Sequence, residues 1–361
     1  MTLDKRLLNK LILFSFIVLG LTSCAPTSFV EREVVWPPPP DPPKIKYIKA
    51  YYGEGEFKKT SILTEIVVGS SGAASFTKPM GVHMDLDGRI FVSDTGLADV
   101  YIMDPAKSTF TSLNRITGRG VFTKPIGIAT DALGRIYATD TRTKQISLFS
   151  KEGIFQRIIG EKLELKQPSG IAVDHKNNRL FVADTHKHEI YMLNLNDFSL
   201  IKTIGKRGQE EGEFNFPTHL FFSQDKSLLY VTDTMNARIQ VLDSEGRFVR
   251  AFGKFGDGAG MFARPKGVAV DSEGHVYVVD AAFNNIQIFD EEGQVLLGFS
   301  GYGNEPGQMI LPAGIFIDKD DFIYVEDSWN ERINVYEYLG EKHKLRTGHQ
   351  KIDKIDKIDK K

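Results

Sequence analysis

Apolar residues in this chain come in short runs, separated by Gly, Pro, Asp and Asn rather than by long polar stretches. The pattern is clearest after Arg264. Arg264-Pro265-Lys266-Gly267 leads into the apolar strand Val268–Asp271, and Asp271-Ser272-Glu273-Gly274 has the composition of a tight turn. His275–Asp280 reads as a second strand, Asn285–Asp290 as a third with Ile286 and Ile288 alternating, and Val295–Phe299 as a fourth. Period-two alternation through four short segments predicts a small antiparallel meander.

That unit occurs six times. A proline leads its first strand at Pro79, Pro125, Pro168, Pro217, Pro265 and Pro312, and an aspartate closes its second at Asp94, Asp140, Asp184, Asp233, Asp280 and Asp327. Successive prolines lie 43 to 49 residues apart, the period of one four-stranded propeller blade. A single sheet cannot bury both of its faces, so the units must pack side by side and close into a ring. The predicted fold is all-β: a six-bladed β-propeller of four-stranded antiparallel blades over residues 45–340. Fourth strands are visible at Ile154–Gly160, Leu200–Gly205 and Phe248–Gly253, whereas the sixth unit runs from its third strand, Arg332–Glu337, into polar sequence. Upstream, Ile45–Tyr51 repeats the pattern of Phe248–Phe252. It is expected to complete the last blade and so remove the free edges of a linear array. Ile62, Leu63, Ile66 and Val67 fall at helical spacing and predict a short helix within residues 54–69.

These residues resemble the NHL-repeat family. Gly170–Asp174, Leu180–Thr185 and Arg238–Asp243 match its three strand consensuses almost verbatim, and the resemblance runs from Pro79 to Leu339 in six copies. It implies a six-bladed propeller, a fold that hosts receptors, scaffolds and several unrelated enzymes.

The N-terminus has a different character. Lys5, Arg6 and Lys10 precede an apolar run from Leu11 to Leu21, which ends in Leu21-Thr22-Ser23-Cys24. A basic segment, a short apolar segment and small residues before a cut site read as a signal peptide over residues 1–23. The apolar run is about half of the roughly 20 residues that a spanning helix needs. Its last four residues resemble the bacterial lipobox, which implies cleavage before Cys24 and acylation of its thiol, leaving the protein on a membrane rather than in it. Ala25 after the cysteine resembles the lipoprotein pattern that permits transfer to the outer membrane, facing the periplasm or the surface. Residues 24–44 contain Trp36-Pro37-Pro38-Pro39-Pro40-Asp41-Pro42-Pro43 and predict an extended polyproline tether. Residues 341–361, with three Lys-Ile-Asp repeats, read as a solvated low-complexity tail.

Composition narrows the function classes. The formal charge is −2 and is spread along the chain, so no field gathers nucleic acid, and a lone cysteine allows no intrachain disulfide. The six strand-ending aspartates could in principle ring a cation, but aspartate at a bend accepts backbone N–H bonds, and a residue repeated in every blade answers a folding need. Function is therefore expected where the copies differ. In the turns after those aspartates stand Arg142, His186, Met235, Phe283 and Trp329, a mixed aromatic and polar set expected on one face around the channel. NHL-like zinc lyases place histidine directly after the strand-leading proline. Here those positions hold Met80, Ile126, Ser169, Thr218, Lys266 and Ala313, and His83 and His219 alone do not make a three-ligand zinc set. His186 and His188, either side of Lys187, read as a solvated loop pair rather than a chelating one. No calcium-lactonase ligand cluster, P-loop, nucleophile elbow or haem-attachment motif is present, so no cofactor, metal or catalytic residue is assigned.

The expected function is a monomeric, lipid-anchored binding or scaffold protein of the cell envelope. One propeller face would bind an envelope protein, a peptide or a polysaccharide. NHL lipoproteins of similar layout look like companions of envelope complexes, sometimes of multihaem cytochromes. The alternative is a hydrolase or lyase using a divalent cation in the channel.

Overall fold

The computed structural model of the 361-residue chain describes residues 33–57 and 74–348. Cys24, the helical spacing at residues 62–67 and the Lys-Ile-Asp repeats lie outside the described residues. Among the described residues, strands form six antiparallel sheets, five of four strands and one of five. In the fifth blade they are Pro265–Val270, Val276–Asp280, Asn285–Phe289 and Val295–Phe299, paired in chain order as the alternation predicts. The first blade ends in Thr109–Ser112, where Ser112 caps a short helix, Leu113–Thr117, by accepting the Arg115 N–H.

The ring closes where the sequence predicts. Ile45–Tyr51 pairs antiparallel with Arg332–Tyr338, Ile45 opposite Tyr338 and Tyr51 opposite Ile333. Outside it lies a further strand, Val35–Trp36, which corrects the reading of the proline segment as an extended rod. Residues 37–43 reverse the chain, so that the Lys44 N–H donates to the Trp36 carbonyl at 2.7 Å and the Tyr47 N–H to Val34 at 2.9 Å. Trp36 supplies the reason. Its ring packs on Phe299 at 5.7 Å and Tyr336 at 5.9 Å, burial that a rod would forgo. At the other end residues 341–348 are helical, not solvated coil. His343 and Arg346 both bond Glu337, and the Arg346 guanidinium lies 4.8 Å from the Phe322 ring centre.

The core sits between blades rather than within them. Tyr277, Ile286 and Phe299 of the fifth blade meet Ile315, Val325 and Tyr336 of the sixth, with Ile45 from the closing strand. Tyr51, Val335, Val92 and Tyr101 join the sixth blade to the first. Each such side chain contributes about 1.5–3 kcal/mol when fully buried, and it gains this only against a neighbouring blade. The glycine two places after the proline belongs to the same packing. A Cβ on Gly81 would stand 2.0 Å from the Ile126 carbonyl oxygen, and one on Gly127 2.2 Å from that of Ser169, so the inner strands approach backbone to backbone.

Candidate binding face and channel

Pro79 pairs opposite Asp94 and Pro125 opposite Asp140, so the inter-blade connections and the second-to-third-strand turns gather at one end of the channel. The aspartates join them. Asp94 accepts N–H groups of Thr77 and Lys78 from the connection, and of Gly96 and Leu97 from the turn. Asp140 and Asp280 repeat this with Thr123, Lys124, Arg142 and Thr143, and with Ala263, Arg264, Ala282 and Phe283. Their carboxylates are buried and committed to peptide groups, as capping predicts.

The fourth and sixth blades hold the same aspartate by another means. Arg238 Nε donates to Asp233 at 2.9 Å, and Arg332 Nε to Asp327 at 2.8 Å. Asn236 and Asn330 add side-chain donors, leaving one connection N–H on each carboxylate, from Asn215 and Ile310. The residues before the prolines there, Phe216 and Leu311, adopt left-handed φ of 55° and 51°. That geometry turns their N–H groups away from the aspartate, to His188 Nδ1 and Asn284 Oδ1.

Arg142, His186, Met235, Phe283 and Trp329 all follow these aspartates in sequence and so stand at this same end, the loop face. Arg142 and His186 are exposed, Phe283 is half-buried, and His186 meets Phe216 edge-on at 5.7 Å. Two residues that the sequence reading passed over join them. Phe255 and Tyr302 lie in the connections into the fifth and sixth blades, bridged to Phe262 and Met309. Phe255 is 79% exposed, Tyr302 72%, Trp329 69% and Met235 63%, so large apolar groups crowd this face. The flanking glycines Gly256 and Gly303, with Arg207-Gly208 at the same place one blade earlier, were the available signal.

The opposite end differs. A cavity of about 320 Å³ opens among the turns that follow the first strands, lined in part by His83, His175, His219, Phe221, Phe316 and Lys342. First strands of about six residues separate it from the loop face by roughly 20 Å. His83 Nε2 accepts the Thr130 N–H at 3.2 Å, and its ring meets Phe316 edge-on at 5.0 Å. Burial drives the His83 pKa down to about 3 and that of His219 to about 4, so both imidazoles are neutral at physiological pH. Histidines that look scattered in sequence thus share one cavity. Among the described residues no three His, Cys, Asp or Glu side chains are arranged to hold a metal ion. Between the sixth blade's strands Glu326 is fully buried with neither carboxylate oxygen in a well-formed hydrogen bond. Burial raises its pKa to about 8, against a weaker opposing pull from the N–H groups of Glu326 and Gly314.

Comparison with known proteins agrees with this architecture. Residues 203–298 match the family described as SMP-30/Gluconolactonase/LRE-like region, and residues 165–190 match the NHL repeat. NHL repeat-containing protein 2 of Bos taurus is 30% identical over 122 residues, which cover 30% of this chain and 17% of that protein. The human protein of the same name is 33% identical over 99 residues, covering 25% of this chain and 14% of that protein. The chain thus spans less than a fifth of the length of these relatives. Among solved structures, a streptogramin B lyase superposes with a TM-score of 0.55 at 15% identity, over 73% of this chain and 94% of the lyase. An auxiliary nutrient binding protein from Bacteroides thetaiotaomicron superposes with 0.58 at 12% identity, over 73% of this chain and 69% of that one. A chain of a nidogen/laminin complex gives 0.54 at 18% identity, over 75% and 93%. At these identities the structural likeness is one of fold.

Proposed function

This chain carries NHL repeats on a six-bladed β-propeller, and from that premise we propose a binding module of the cell envelope, lipid-anchored through Cys24 on a membrane leaflet. Its loop face binds a protein, peptide or polysaccharide partner. The observation that carries this reading is the crowding of Phe255, Tyr302, Trp329 and Met235 on one end of a rigid ring, where large exposed apolar groups are costly unless a partner covers them. A nutrient binding protein and a nidogen/laminin complex among the fold neighbours are consistent with it by analogy.

Affinity capture from solubilised envelope tests the face. A Phe255→Ala/Tyr302→Ala/Trp329→Ala variant should keep its melting temperature and lose the partner that the parent retains. Retention of every partner by the folded variant overturns the reading. Cys24→Ser should move the protein from the membrane to the soluble fraction, and an unchanged distribution would remove the anchor from the proposal.

A further inference from the structure

Five blades carry glycine two places after the strand-leading proline: Gly81, Gly127, Gly170, Gly267 and Gly314. The fourth carries His219 instead. A Cβ on Gly81 or Gly127 would strike the next blade's backbone, so an imidazole at this level departs from what the packing asks. Two places further on, the blades hold either alanine, at Ala129, Ala172 and Ala269, or a ring, at His83, Phe221 and Phe316. The 320 Å³ cavity at the end away from the loop face is where these departures meet.

First strands neighbour one another in chain order round the ring, so blades one and four face each other across the channel. His83 and His219 therefore stand on opposite walls, two strand positions or roughly 7 Å apart in height. Ala129 and Ala172, in the blades between them, leave the space open. Each of the two imidazoles is committed on one side only. His83 Nε2 accepts the Thr130 N–H at 3.2 Å, with the Thr130 hydroxyl at 2.9 Å, and His219 Nδ1 accepts the Val268 N–H at 3.4 Å. A nitrogen that accepts carries no proton, so the neutral rings keep theirs on His83 Nδ1 and His219 Nε2. Neither N–H has a partner among the described residues. His175, at the mouth, has a buried Nδ1 that is also unpartnered, while Gln224 holds its backbone N–H at 3.1 Å.

The charged residues around the cavity do not answer these donors. Asp271 and Asp318 already accept backbone N–H groups and the hydroxyls of Tyr277 and Tyr324. Asp225 and Lys319 are exposed, and the Lys342 ammonium donates to the Lys319 carbonyl. What remains inside is a pair of fixed N–H donors between apolar walls, an arrangement that an uncharged acceptor satisfies and an ion does not.

We propose that this cavity binds a small, uncharged, mostly apolar ring compound through carbonyl oxygens, which accept from His83 Nδ1–H and His219 Nε2–H while Phe221 and Phe316 contact its body. The volume lies within the range of small-molecule sites. The site is independent of the loop face, and either can fail alone.

The test uses the full chain with its histidine rings labelled with carbon-13, the His83 and His219 resonances being identified by their loss in His83→Ala and His219→Gly. These variants copy residues that other blades carry at the same positions, so both should fold, and their melting temperatures check it. The probe is 1,4-diacetylbenzene. It should move both resonances, and its carbonyl infrared band should shift to lower wavenumber on binding. Each variant should weaken binding about fivefold, as loss of one neutral hydrogen bond predicts. 1,4-Diethylbenzene, of the same shape without acceptors, should bind more weakly than the ketone, and so should the anion 4-acetylbenzoate. Equal binding of the hydrocarbon, tighter binding of the anion, full affinity in both folded variants, or no response of the two rings overturns the site. Displacement of the ketone by stoichiometric zinc chloride would assign the histidines to a metal and overturn it as well.

Discussion

Blades four and six hold their strand-closing aspartate differently from blades one, two and five, and the contrast shows how one backbone shape is reached by two electrostatic routes. In blades one, two and five the residue before the proline is Lys78, Lys124 or Arg264, and its own N–H donates to the carboxylate. The cationic side chain is left exposed at the channel rim. In blades four and six that residue is Phe216 or Leu311 in left-handed backbone, its N–H is turned away, and an arginine from the third strand replaces it. One route buries the cation and spends it. The other leaves the cationic side chain exposed to solvent.

The two routes can be separated by breaking each. The largest effect is expected from deleting residues 45–51, which removes the fourth strand of blade six. Cooperative unfolding should be lost, and a deletion that melts as sharply as the parent would contradict closure. Arg332→Met should cost about 3–5 kcal/mol by urea unfolding, because it strands a fully buried Asp327 carboxylate. Adding Asp327→Asn should recover part of that loss. Asp280→Ala in blade five should cost about 2–3 kcal/mol, less than the arginine loss, since it strands peptide N–H groups and no charge.

Blade six offers a pH test as well. A Glu326 pKa raised to about 8 means that stability is full below about pH 4.5 and falls as pH rises toward 8, by up to about 5 kcal/mol. His83 and His219 act on the other limb: depressed to about 3 and 4, they contribute stability above about pH 6.5 that is lost on acidification. Urea midpoints should therefore fall on both sides of mildly acidic pH, and Glu326→Gln should flatten only the alkaline side. The smallest effect is expected from Phe216→Gly, a net change within about 1 kcal/mol, because relief of a left-handed non-glycine residue is offset by loss of the ring contacts with His186 at 5.7 Å and His188 at 4.5 Å.

Much of the fold was legible because its signals are local. Pro, Gly and Asp at fixed offsets state where each strand starts, approaches its neighbour and ends, and those bonds join residues 2 to 18 apart, as at Gly96 to Asp94 and Asn215 to Asp233. The closing strand was legible because its pattern copies Phe248–Phe252. The reversal at Trp36 was not, since its reward comes from Phe299 and Tyr336, which sequence does not bring near. Within the candidate face the turn residues were found by comparing blades. Phe255 and Tyr302 escaped because only the turns after the aspartates were compared, although their repeated Gly flanks mark the connections as built alike.

Residue order alone was enough for strand, turn and blade number, because alternation and turn chemistry act over a few neighbours. It could not say which charges would be spent and which left over. Ser328 reaching the Pro79 carbonyl at 2.6 Å across 249 residues and three histidines from separate blades in one cavity both depend on how the blades face each other. Burial and Coulomb energy follow distance in space, and in a closed ring that distance is set by packing between blades rather than by position along the chain.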